Sequence, residues 1–161
     1  MVAGSFTREN VAKISLDRVW KAGVLDAHNL IPKLLSDFIS SVELLEGEGG
    51  LGTVKKTNFT EAVKEFRFVT DKIELLDTEN HIVKQSVIDG GLIGQRLKSY
   101  SFEMKFEVVN SSETLGKITL EYDTIDDTPL SDEEQEEIMK GLFLIIKAIE
   151  GYLIENPTSY A

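Results

Sequence analysis

Gly47-Glu48-Gly49-Gly50-Leu51-Gly52, followed at once by Thr53-Val54-Lys55-Lys56, is the stretch on which the fold turns. Four glycines in six positions describe a backbone that bends sharply or passes close to another group. The spacing satisfies G-x-G-x-x-G, and the apolar Val42, Leu44 and Leu45 stand just before it. That invites a dinucleotide-binding reading. The motif works, however, only where a helix opens at the last glycine and aims its N-terminus at a pyrophosphate. Here the residues from Thr53 to Phe59 read as a strand, and no Lys-Ser/Thr pair follows Gly52, so the NTPase P-loop fails as well. The stretch is a loop between two strands.

Downstream, Tyr100, Phe102, Met104, Phe106 and Val108 alternate with Ser101, Glu103, Lys105 and Glu107. Ile118, Leu120 and Tyr122 alternate with Lys117, Thr119, Glu121 and Asp123 in the same way. One buried and one wet face per strand predict an antiparallel sheet, not a doubly wound parallel one. Shorter strands are expected around Val42/Leu44, Val54/Lys56, Phe66/Phe68 and from Ile82 to Ile88, with turns at Asp77-Thr78-Glu79-Asn80 and Asp89-Gly90-Gly91. Upstream, Ser5 to Ile14 reads as the first strand. Ser15 and Asn29 are expected to cap two short helices, the second carrying Pro32 in its first turn. After Pro129 the period changes. Ser131 and Glu134 form a capping box, and Ile138, Leu142, Ile145, Ile146, Ile149 and Leu153 recur at helical spacing. The prediction is a helix of roughly 24 residues, about 36 Å long. The architecture expected is α+β in a single domain over residues 1–161, with seven strands, two short helices and one long C-terminal helix.

The net charge of -11, from 17 basic and 28 acidic residues, argues against a nucleic-acid partner, which is held by neutralising phosphates. Nine acidic residues and no basic one fall between Glu121 and Glu137, read here as a solvated loop and helix face. No apolar run is long enough to span a bilayer, no signal segment stands at the N-terminus, and no cysteine is present. A cytoplasmic protein without a membrane partner is expected. His28 and His81 belong to no ligand-spaced cluster, so no metal and no cofactor is expected.

Several stretches together resemble the plant pathogenesis-related class-10 family, the birch-pollen-allergen (Bet v 1) type. They are Leu25-Asp26-x-x-Asn29-Leu30-x-Pro32-Lys33, Glu46-Gly47-x-Gly49-Gly50-x-Gly52-Thr53, Asp89-Gly90-Gly91 and Ala148-x-Glu150-x-Tyr152-Leu153. The resemblance spans the chain. It implies a seven-stranded antiparallel sheet wrapped around the long helix in a helix grip, with a large internal cavity between them. Members bind amphipathic flavonoids, cytokinins and other hormone- or alkaloid-like compounds there. A few are enzymes of specialised metabolism, and some have been described as ribonucleases.

If the family's strand register holds, Phe59, Phe66, Phe68, Val83, Gln85, Val87, Tyr100, Phe102 and Met104 line the inner face of the sheet. Ile138, Leu142, Ile145 and Ile146 then close one side from the helix. Gln85 and Tyr100 are the polar handles, and the resemblance sets His28 near the entrance, where solvation and ligand contact are both open. Lys55 shares the parity of Phe59, which points it inward; its ammonium either meets an acidic or phenolate ligand group, or it snorkels to solvent at the sheet end or pairs with a carboxylate. For the ribonuclease reading the matching residues are Lys55, Glu150 and Tyr152, while Lys98 departs from an acidic position in relatives. For alkaloid-forming chemistry, Asp89 stands where those enzymes carry their acid, and Ser101 occupies the region of their lysine. The leading expectation is a non-catalytic carrier of a small amphipathic plant metabolite or hormone in defence, stress or hormone response. It is expected to act as a monomer, with a weak dimer open. The alternative is an isomerase or cyclase using the same cavity, and the ribonuclease ranks below both; no catalytic residue is assigned.

Overall fold

The computed structural model describes all residues, Met1–Ala161. Seven strands form one sheet: β1 (Ala3–Ala12), β2 (Ile39–Glu46), β3 (Val54–Phe59), β4 (Phe68–Asp77), β5 (Ile82–Gly90), β6 (Leu97–Asn110) and β7 (Glu113–Thr124). Every pairing is antiparallel, in the order β1-β7-β6-β5-β4-β3-β2. The alternation in β6 and β7 is what the ladder uses: Tyr100, Phe102 and Met104 stand opposite Tyr122, Leu120 and Ile118.

Three helices complete the chain. The first, α1 (Leu16–Trp20), widens at once into a π-helical turn over Lys21–Leu25. The second, α2 (Ala27–Leu34), starts behind Asp26, and the third, α3 (Asp132–Glu155), spans 24 residues. The expected capping box at its start is present: Glu134 N donates to Ser131 Oγ, and Ser131 N donates to Glu134 Oε1. Several boundaries differ from the sequence reading. β1 ends at Ala12, because the Ile14 side chain is buried among Ala22, Leu30, Ile149 and Leu153, away from the sheet ladder. Thr114 Oγ1 donates to the Ile14 carbonyl at 2.7 Å and fixes that departure. Ser15 occupies the cap position of α1 without a side-chain cap bond. Asn29 lies inside α2, where its amide donates to Asp26 Oδ1, and Pro32 sits in the helix body.

Burial concentrates between the concave face of the sheet and α3. One cluster joins Phe6, Val87, Leu97, Tyr100, Ile118, Leu120 and Tyr122 to Met139 of α3. A second cluster surrounds Trp20 with Leu16, Val24, Ile73 and Val83. The Trp20 ring meets His81 and Phe106 edge-on, at 5.1 and 6.0 Å.

Two side-chain systems hold the ends. The Arg96 guanidinium donates to Glu134, to Asp126 and to the carbonyls of Thr128 and Pro129, binding the β5–β6 loop to the start of α3. So the acidic block is not wholly a solvated face; two of its carboxylates are occupied by one arginine. At the other end Arg18 donates to the carbonyls of Leu153, Asn156 and Ser159, and Tyr160 donates to Asp26.

Candidate functional site

The inner face of the sheet carries a continuous row of ladder partners: Lys55, Asp71, Val87, Tyr100 and Tyr122. Residues directly opposite one another in an antiparallel ladder share a face, and Val87, Tyr100 and Tyr122 belong to the core cluster. Lys55 and Asp71 therefore face the interior. An adjacent row runs through Ile73, Gln85, Phe102 and Leu120. The result is an apolar surface interrupted at a few points by polar groups.

Asp71 is the anomaly on that surface. It is 9% exposed, and its Oδ1 has no hydrogen-bond partner. Burial pushes its carboxyl above the usual aspartate range, against the pull of the Lys55 ammonium beside it. Lys55 and Asp71 make no direct ion pair. An unpartnered buried acceptor costs about 1–3 kcal/mol, so its persistence in a strand interior calls for an explanation. Tyr100 is the other polar group in the row. Its hydroxyl accepts from Leu92 N at 3.1 Å, and burial raises it above the usual phenol range. The phenolic proton is left free to donate.

The remaining expected residues fall into distinct settings. Phe102, Met104, Ile138, Leu142 and Ile146 are half-buried against the core cluster, whereas Ile145 packs with Ile14 and Leu153. Val83, 1% exposed, is fully packed around Trp20. Phe59 and Phe66 meet edge-on at 5.2 Å, but Phe66 lies in the β3–β4 loop and in no strand. Phe68 faces away from Val69 and Asp71, with its ring 4.7 Å from Lys56 Nζ. His28 is packed beneath the glycine loop: a Cβ on Gly49, which has φ +111, would lie 2.8 Å from His28 Cε1. Thr53 Oγ1, also buried, accepts from Gly49 N.

Asp89 is exposed and pairs with Thr70, and Ser101 pairs with Ser86, so both lie on the outer face. The acid on the inner face is Asp71, which the sequence reading passed over. Glu150 accepts from Lys13 N at 2.8 Å and pairs with Lys147, a structural engagement at the end of β1. No three His, Asp or Glu side chains gather to hold a metal.

At one end of the sheet a groove of about 680 Å³ opens between the β3–β4 and β5–β6 loops. Phe59, Phe66, Phe68, Gly91, Ile93 and Gln95 are among its lining residues. Ile93 also packs against the core cluster that holds Val87 and Tyr100, so the groove borders the interior row.

A long helix gripped by a seven-stranded antiparallel sheet, with polar groups set into its concave face, defines a class of small-domain helix-grip proteins. Residues 1–156 match the family model of the pathogenesis-related protein Bet v 1 family, and the chain belongs to that family. Pathogenesis-related protein STH-2 of Solanum tuberosum is 38% identical over 157 residues, covering 98% of this chain and 97% of that protein. The crystal structure of Ara h 8.0201 superposes with a TM-score of 0.81 at 30% identity, covering 96% of this chain and 99% of that one. Norcoclaurine synthase from Thalictrum flavum, solved with dopamine and hydroxybenzaldehyde, shares the fold at a TM-score of 0.75 and 21% identity, with 96% and 88% of the two chains covered.

Proposed function

We propose that the chain binds a small amphipathic molecule in a cavity between the concave face of the sheet and α3, and that it acts as a carrier or receptor of a plant metabolite or hormone. The observation that supports this most is the pair Lys55 and Asp71: a cation and an unpartnered buried carboxyl, side by side on an apolar face, without an ion pair between them. A hydroxyl placed between them accepts from the ammonium and donates to the carboxyl. The Tyr100 hydroxyl offers a further donor along the same row. The half-buried Phe102, Met104, Leu142 and Ile146 supply apolar contact for a ring system. This points to a hydroxylated, largely apolar ligand of flavonoid or hormone type, with Phe59, Gln85 and Val87 completing the wall.

The same carboxyl supports a second reading. Burial raises the proton affinity of the Asp71 carboxyl, so an isomerase or cyclase acting on the bound molecule would use Asp71 for acid–base chemistry. No lysine accompanies it on the row beyond Lys55. RNA cleavage is disfavoured by the net charge of -11. In this reading the protein works as a monomer in the cytoplasm, with no nucleic-acid or membrane partner. None of its helices is long and apolar enough to cross a membrane.

A thermal-shift screen of flavonoids, cytokinins and other hormones tests the proposal, because a ligand that binds only the folded state raises Tm by mass action. Binding with a Kd weakened in both Lys55→Met and Asp71→Asn supports it. No shift with any compound, or shifts indifferent to both substitutions, would sink it. Product formation from a bound compound, abolished in Asp71→Asn, would favour the enzyme.

A further inference from the structure

The convex face of the sheet carries a separate groove, on the opposite side from the interior row. Its volume is about 560 Å³, and it crosses four neighbouring strands, β5, β6, β7 and β1. One row of ladder partners forms its floor: Ser86 stands opposite Ser101, Ser101 opposite Glu121, and Glu121 opposite Ser5. These residues alternate along their strands with Val87, Tyr100, Tyr122 and Phe6, whose side chains fill the core, so the row faces outward. Ser99 and Asp123 line the groove beside it, with Ser99 Oγ donating to Asp123 Oδ2 at 3.1 Å.

Side-chain length makes the depression. On the adjoining row Lys84 and Glu103 stand as a wall beside the short Ser86 and Ser101. Elsewhere on this face the polar groups engage one another: Thr7 and Thr119 are hydrogen-bonded at 2.9 Å, and Lys117 pairs with Glu9. By contrast, the side chains of Ser5, Ser86, Ser101 and Glu121 donate to and accept from no other group in the protein. Ser86 and Ser101 are half-buried all the same. Lys72, opposite Ser86 on β4, bounds the row without lining the groove.

We infer that this groove is a binding site for an extended, uncharged oligosaccharide laid across the strands. Neighbouring strands lie about 4.8 Å apart, so the row offers a hydroxyl or carboxylate at each step over about 14 Å, roughly the length of three linked sugar rings. A serine hydroxyl donates and accepts, as a sugar hydroxyl does, and the two oxygens of Glu121 accept from adjacent hydroxyls of one ring. No lysine or arginine lines the groove, while Glu121 and Asp123 do, so acidic sugars and phosphates are repelled. A polyamine fits less well: three of the four groups in the row are hydroxyls, and Asp123 is already held by Ser99.

Titration of the isotope-labelled full chain with cellotriose, followed by amide NMR shifts, tests this. Shifts should saturate at millimolar sugar and cluster at Ser86, Ser99, Ser101 and Glu121. Glu121→Gln should weaken binding by about 3- to 10-fold, and Ser101→Val, which fills the groove, by at least about fivefold. Valine suits an exposed strand position, and Glu121→Gln carries the test should Ser101→Val be unstable. Glu103→Gln, on the adjoining row, should leave Kd within about twofold. Trigalacturonate, of similar length but anionic, should bind at least about 10-fold more weakly. Absence of shifts, shifts centred on interior residues such as Asp71 and Phe102, or a Kd indifferent to both groove substitutions overturns the site. Spermidine binding there in place of the sugar, and lost in Glu121→Gln, makes the groove a polyamine site and also overturns it.

Discussion

Lys55 and Asp71 are direct ladder partners on the inner face of the sheet, yet the lysine leaves Asp71 Oδ1 without a partner. Burial outweighs the neighbouring cation, and the carboxyl is pushed above its ordinary 3.8. An acid whose pKa is raised by folding binds its proton more tightly in the folded state. Its contribution is therefore favourable at low pH and is lost as pH rises through the folded value. Asp71→Asn should gain Tm relative to the wild type as pH rises from about 4 to 7. Paired thermal melts across that range check it, and a difference independent of pH contradicts it. Under the proposed function Lys55 donates a charge-assisted hydrogen bond to the ligand, so Lys55→Met should weaken binding by about 10- to 100-fold, read by calorimetry with the best compound from the screen.

Glu134 shows the opposite sign. The Arg96 guanidinium donating to it holds its carboxyl below the ordinary 4.5. Stability from this pair is present above that value and lost as pH falls through the folded pKa. Arg96→Ala should lower Tm at neutral pH, with the deficit shrinking under acid conditions. Melts of wild type and variant at neutral and acidic pH give the comparison. Ser131→Ala, which removes the other half of the α3 start, should cost about 1 kcal/mol in denaturant unfolding.

Met139 carries the docking of α3 onto the sheet. It is 1% exposed within the cluster formed by Phe6, Leu97, Leu120 and Tyr122. Met139→Ala should destabilise the protein by about 2–5 kcal/mol, through lost transfer energy and the cavity left behind. Leu144→Ala, on the same helix but 44% exposed, should change stability by less than about 0.5 kcal/mol. Urea midpoints of the two variants test the contrast, which fails if they match.

Tyr160 donates to Asp26, and partial burial together with that carboxylate raises its phenol to about 12. Of the four tyrosines, it should ionise well after an exposed phenol. Because its folded pKa is raised, its contribution to stability is full below the ordinary 10 and disappears as pH rises through about 12. An ultraviolet phenolate titration of the wild type against Tyr160→Phe should lose one late-titrating group.

How much of this could be read from the chain depended on parity. The run from Tyr100 to Val108 keeps strict alternation, and the helix after Pro129 announces itself with Ser131 and Glu134, so the sheet and its gripped helix were both legible. β4 was not. Its register slips at Glu74, between the pairs Ile73–Gln85 and Leu75–Lys84. Counting back by twos from Leu76, a core-packed residue, points Phe68 inward and Asp71 outward, whereas the bulge reverses both. A signal was nevertheless available: Val69, Asp71 and Ile73 form an apolar face with one charge in it. A second irregularity skips Ile88 in β5, and beyond it Asp89 pairs with Thr70 on the outer face. The glycine loop was correctly read as a turn, but its neighbour His28 was invisible as a support because their contact joins distant parts of the chain.

Trp20 is the only tryptophan in the chain, wedged edge-on between His81 and Phe106 with its indole N–H unpartnered. All intrinsic indole fluorescence therefore comes from the joint between α1, the β4–β5 turn and β6. Its emission is an optical gauge of whether that joint is closed, and it does so without a label. Detachment of α1 from the sheet should shift that emission to the red.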